Sequence, residues 1–172
     1  MRLTKYIYFF YFSFFLFYSA QAFTDKDGKG AQSDGREDLS FLNVKNSNFK
    51  KGKDAFKQAQ KFQNKNNNKK AKKYFEKAIK YFLEANDEYS DNIEILIYLG
   101  QVYYKVGDFI MSEIYYQQGL NIDPKNNLIN QKLGKLYFDT KRINLAKERL
   151  NVLKKCNCQE YLDLKTFFEK TN

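Results

Sequence analysis

The stretch "LGQVYYKVGDF", Leu99–Phe109, decides the fold, because the chain nearly repeats it at Leu133–Ile143 as "LGKLYFDTKRI". Leu99, Gly100 and Tyr103 return as Leu133, Gly134 and Tyr137, each 34 residues later. The same interval separates Ala78, Ser112 and Ala146. It separates Phe82, Tyr116 and Leu150, and also Phe75, Phe109 and Ile143. Several residue types recurring at one spacing mark an array of like units rather than an irregular bundle.

The units are helical. Ala55, Ala59 and Phe62 share one face of a first helix from about Phe49, which breaks at Asn64–Asn68. Tyr74, Phe75, Ala78, Ile79, Phe82 and Ala85 follow on a second, and a third runs from Ile93 to Val106. The fourth spans Phe109–Leu120, the fifth Leu128–Asp139, the sixth Asn144–Leu153 and the seventh Gln159–Lys170. Gly107-Asp108 ends the third, and Asp123-Pro124 stops the fourth, since proline cannot continue a helix. Small residues at Gly100 and Ser112 let two helices cross closely, with Leu99, Tyr103 and Tyr116 around the crossing. The expected architecture is an all-α solenoid of about three helical hairpins with a C-terminal capping helix. In that cap Tyr161, Leu164, Phe167 and Phe168 cover the last hairpin.

These residues resemble the tetratricopeptide repeat family. The unit 93–126 fits best, with Leu99-Gly100, Tyr103, Gly107, Phe109, Ser112, Tyr116, Gly119 and Pro124 on signature positions and Leu96 at the usual tryptophan. The unit 127–160 keeps Leu133-Gly134, Tyr137, Ala146 and Leu150, but has Lys141 at the turn glycine and Cys158 at the proline. In the first unit, counting back from Ala78 puts Lys65 and Asn66 where Leu-Gly belongs. Either that hairpin holds an extra turn near Asn64–Lys70, or Ala59, Ala71, Phe75 and Ala78 set another register. The closing "CNCQEYLDLKTF" is similar to the end segment of small exported tetratricopeptide proteins of alphaproteobacteria. That resemblance implies compartment more than activity.

Residues 1–22 read as an export signal. Arg2 and Lys5 precede the apolar run Tyr6–Tyr18, and Ala20 and Ala22 give the small-residue spacing of a cleavage site. The run is shorter than the roughly 20 residues that span a bilayer, although a retained anchor is the alternative. Residues 23–48 form a polar leader containing Gly28, Gly30 and Gly35, and the repeat domain takes up 49–172. A periplasmic or secreted location follows from the signal, and a membrane-anchored one from its retention.

A tetratricopeptide array is expected to bind on its concave face, lined by the first helix of each hairpin. The candidate binding residues are Ile97, Gln101, Tyr104, Lys105, Gln131, Lys135 and Phe138, with Asp139 beside them. Aromatic, amide and ammonium groups suit an extended peptide or loop with some negative charge. Gln101 and Lys135 stand at the asparagine places of the carboxylate clamp found in chaperone-binding relatives, so that activity does not transfer.

The chain of 172 residues has a net charge of +10, unevenly spread. Between Lys50 and Lys80 twelve lysines face only Asp54 and Glu76, which suits anionic lipid, wall polymer or an acidic partner. Export and scarce arginine argue against nucleic acid. With no histidine, no nucleophile–base pair, metal cluster or phosphate loop emerges, so neither an enzyme nor a cofactor is expected. Cys156 and Cys158 come within disulfide range, roughly 4.4–6.8 Å between Cα atoms, and form either a structural disulfide or two thiols at the last junction. The chain is expected to be monomeric or weakly self-associating.

Overall fold

The computed structural model describes residues 47–171. The expected signal at 1–22 and the expected leader, up to residue 46, lie outside them. Among the described residues there are seven helices and no strand. They are α1 (Ser47–Asn64), α2 (Asn68–Glu88), α3 (Ile93–Val106), α4 (Phe109–Ile122), α5 (Asn127–Asp139), α6 (Ile143–Leu153) and α7 (Gln159–Thr171). Three hairpins, α1–α2, α3–α4 and α5–α6, stack in chain order, and α7 lies against α5. This is the helical-hairpin solenoid that the 34-residue period predicts.

Local chemistry starts the helices where they start. The side chains of Asn67, Asn92, Asp108 and Asn126 accept from the backbone N–H of Lys70, Ile95, Met111 and Ile129, at 3.1–3.2 Å. Each occupies one of the donors that a helix N-terminus leaves without a partner. Asn92 and Asn126 sit one repeat apart. At the counterpart of Asp108 stands Arg142, which makes no side-chain cap. Its guanidinium instead pairs with Glu113 at 2.7 Å and lies over the Tyr137 ring, whose hydroxyl donates to Glu113 at 3.0 Å. The lost cap is thus replaced by a tie between the second and third hairpins.

Turn geometry also repeats. Gly107 has φ +84°, the left-handed conformation that closes a helix C-terminus. Lys141, one repeat later, takes φ +62° at the same place. Asn66 in the first turn is left-handed as well, at φ +56°.

The hairpin crossings explain the small residues. Ser112 Oγ donates to the Gly100 carbonyl at 2.8 Å. A Cβ at Gly100 would lie 2.5 Å from Cδ1 and 2.8 Å from Cζ of Tyr116. The ring of Tyr116, 1% exposed, fills the space that glycine leaves. Tyr103 turns outward from this crossing and stacks on Tyr115, with ring centroids 5.5 Å apart.

The first hairpin resolves the question of register. Gly52 meets the ring of Phe82 as Gly100 meets Tyr116: a Cβ there would lie 2.5 Å from Phe82 Cε1. Gly52 and Phe82 are 30 residues apart, whereas Gly100 and Tyr116 are 16 apart. The first hairpin therefore carries 14 extra residues, seven in each arm. Seven residues are two helical turns, about 10 Å, so the apolar face is kept while the tip is carried outward. Phe62 stacks on Tyr74 in the lengthened part, at 5.3 Å between centroids, and Phe56 packs on Phe75 just below it, at 5.9 Å.

The far end is closed by α7. Leu164 is fully buried, and its Cδ2 would lie 2.6 Å from a Cβ at Gly134. Phe167 and Phe168 enclose Phe138, at 5.5 and 4.9 Å. Tyr161 is half-buried. Cys156 and Cys158 are joined as a disulfide in the α6–α7 link, with Cα atoms 5.2 Å apart.

Candidate functional site

The concave face is formed by α1, α3, α5 and α7, and a cavity of about 380 Å³ opens on it. Its walls are Gln60 from α1, Gln101, Tyr104 and Lys105 from α3, Tyr116 from α4, Lys132 and Lys135 from α5, and Phe167 from α7. Every hairpin and the cap contribute to one space. The two-turn extension of α1 supplies Gln60, so the irregular first repeat completes the wall.

Four of the predicted groove residues, Gln101, Tyr104, Lys105 and Lys135, line this cavity. Three do not. Ile97 is 8% exposed and packs into the core with Tyr116, Ile129 and Leu133. Gln131 is 4% exposed, and its amide donates to Asp163 of α7 at 3.1 Å. Phe138 is 6% exposed beneath Phe167 and Phe168. The correction has one cause for the last two: α7 lies along α5 and covers the stretch of groove that the repeat pattern leaves open.

Pattern reading misses four of the wall residues, Gln60, Tyr116, Lys132 and Phe167, and of these Lys132 is the charged one. It lies one repeat after Tyr98, whose ring is held among Phe49, Phe56 and Phe82 at 5.1–5.9 Å and so fills the space between α1 and α3. A lysine at the same place between α3 and α5 leaves that space hollow and points an ammonium into it. The exchange of an aromatic ring for a lysine was readable in the sequence, but what it opens was not.

The electrostatics are one-sided. Lys105, Lys132 and Lys135 approach the same cavity, and none forms an ion pair among the described residues. Burial holds the Lys132 ammonium below the ordinary lysine value of 10.5, and the charges of Lys135 and Lys105 lower it further. Asp163 and Glu160 pull the other way without cancelling these effects. Lys135 also rests over the ring of Phe167, 5.3 Å from its centroid.

Tyr104 has a more defined role than exposure suggests. Its hydroxyl donates to Asp139, the neighbouring acid of the third hairpin. Burial first, and this bond second, push the phenol well above its ordinary range, so the proton stays on the oxygen. Asp139 is thereby held by a tyrosine, and no Asp or Glu lines the cavity beside the lysines. The arrangement can bind an anion between ammonium and amide groups with an aromatic edge at hand. Among the described residues no group of three or more His, Cys, Asp or Glu is placed to hold a metal ion.

Stacked hairpins with a lined concave face define a helical-repeat protein built for binding. Family models agree: tetratricopeptide repeat models match residues 93–126 and 59–83. These matches support the tetratricopeptide repeat family for this chain, and with it a protein-interaction scaffold. The second match starts at Ala59, inside α1, and stops at Leu83, so it spans the lengthened tip. No curated protein matches the chain.

Proposed function

We propose that the chain is an exported scaffold of the cell envelope, monomeric or weakly self-associating, that seats an acidic segment of a partner protein in its concave cavity. The observation that carries this reading is the approach of Lys105, Lys132 and Lys135 to one hollow without a carboxylate partner. Lysine ammonium groups in a partly desolvated space attract a carboxylate more strongly than lysines on an open surface do. Gln60 and Gln101 supply amide donors and acceptors for the backbone of an extended segment. The export signal at residues 1–22 supports the compartment, as does the likeness of the C-terminal segment to small exported repeat proteins.

The test is fluorescence anisotropy of the full chain with labelled hexaglutamate and hexaglutamine. Hexaglutamate should bind and hexaglutamine should not, and Lys132→Gln should weaken the acidic peptide about tenfold or more, the range of one charge-assisted hydrogen bond. Equal capture of both peptides, or a Lys132→Gln protein that binds as the parent does, refutes the reading.

A further inference from the structure

We propose that the tip of the first hairpin is a docking surface for the anionic lipid headgroups of a bilayer. This surface is separate from the concave cavity, and the proposal does not depend on what the cavity holds.

The 14 residues that lengthen the first hairpin are also its most basic part. Residues 57–73, which form the two helix ends and the turn between them, hold seven lysines and no Asp or Glu. All seven are exposed. None of them forms an ion pair among the described residues; the lysine–carboxylate pairs of this hairpin, Lys53–Glu94 and Lys80–Glu84, lie nearer its base. The other tips differ. The second has Lys105 with Asp108, and the third has Asp139 with Lys141 and Arg142. A solvated helix face normally mixes both signs, and acids spaced three or four residues from lysines would stabilise these helices. Their absence over 17 consecutive residues leaves a strong positive field at the one part of the solenoid carried two turns outward.

The form of the charge indicates its partner. Lys61, Lys65, Lys69 and Lys73 spread over both arms and the turn, whereas the cavity lysines converge on one point. Between positions 50 and 80 there is no arginine, the residue suited to two-point recognition of one phosphate or carboxylate. Compact ammonium groups on a broad end match a plane of headgroups, where each added lysine strengthens adsorption without a fixed geometry. The tip's aromatic pair, Phe62 and Tyr74, is stacked on itself, with Lys70 and Lys77 over the rings, so contact is by charge rather than by insertion. The 46 residues ahead of α1 include Arg2, Lys5 and the apolar run Tyr6–Tyr18, a pattern that directs a chain to a membrane.

The experiment is flotation of the full chain with phosphatidylcholine vesicles, with and without phosphatidylglycerol, at low and high salt. The parent should favour the anionic vesicles, and that preference should fade at high salt. A lysine near an anionic surface accounts for about a fivefold change in partitioning, so Lys65→Gln/Lys69→Gln should lose about 25-fold. Lys65→Arg/Lys69→Arg should retain binding. Lys154→Gln/Lys155→Gln, an equal loss of charge at the end of α6, should also retain it. The tip variants should leave hexaglutamate capture unchanged, which separates this surface from the cavity. Three results would overturn the proposal: equal partitioning to neutral and anionic vesicles, an equal loss from the α6 pair, or tip-dependent capture of duplex RNA or hexaglutamate with vesicle binding unmoved.

Discussion

Gly100→Ala isolates the close crossing on which the stacking depends. Alanine is the better helix former by about 1 kcal/mol, so at an open site the change would stabilise α3. At this site the new methyl would lie 2.5 and 2.8 Å from ring atoms of Tyr116, where carbon contacts settle near about 3.5–4.0 Å. Tyr116 is 1% exposed and packs with Ile97, Ile129 and Leu133, which resists a swing of its ring toward the cavity. Moving α3 away would break the bond from Ser112 Oγ to the Gly100 carbonyl, a further loss of about 1 kcal/mol. Overpacking of about 1–3 kcal/mol, with that bond lost and the propensity gain set against it, leaves a destabilisation of about 2 kcal/mol. For a chain of this size that lowers Tm by about 4–8 °C. Thermal and urea unfolding followed by circular dichroism measures it. Gly100→Ala/Tyr116→Leu should be more stable than the two single changes sum to, by about 1 kcal/mol or more. Gly134→Ala should cost about 1 kcal/mol or less, since its nearest atom is the movable end of Leu164. A Gly100→Ala protein with an unchanged or higher midpoint, or a double variant that is simply additive, would refute the packing argument.

Two further outcomes follow from single residues. The Lys132 value is lowered in the folded chain, so this residue's contribution to stability rises with pH between that lowered value and 10.5. A bound carboxylate pushes the value back up, so the affinity for hexaglutamate should fall as pH climbs through the lowered value, and Lys132→Gln should flatten that profile; anisotropy across a pH series tests it. Lys141→Gly removes a side chain from a left-handed turn and should raise stability by up to about 1 kcal/mol, less the flexibility glycine adds to the unfolded chain, while Gly107→Ala should lower it by about 1 kcal/mol, as read from urea midpoints.

Much of the fold could be read from local chemistry. The turn at Gly107, the stop before Pro124 and the recurrence of Gly100 and Ser112 each state their reason within a few residues of the chain. The bounds of α3 coincide with the expected ones at both ends. Cys156 and Cys158, for which the sequence left a disulfide and two thiols open, are paired. The lengthened first hairpin resisted reading for the same kind of reason. A two-turn insertion in each arm preserves the helical faces, so Ala78 and Phe82 keep the family pattern while the turn moves to Asn66. A match along the sequence sees the second helix and places the first in the wrong frame. The groove was half legible: Gln101, Tyr104, Lys105 and Lys135 reach the cavity, whereas Ile97, Gln131 and Phe138 are covered.

By itself the sequence determined the number of helices among the described residues, their order and the points of closest approach, since a helix and its turn are set by residues within a few positions. Only the tertiary structure decided what remains open. Phe138 is sealed because α7 folds back on α5 from about thirty residues away, a contact its own surroundings in the chain do not announce. Lys132 faces a hollow because Lys105 of α3 and Lys135 of its own helix approach the same space, which no Asp or Glu lines. Whether a side chain touches solvent, core or partner depends on residues distant in the chain, and the period specifies spacing but not neighbours.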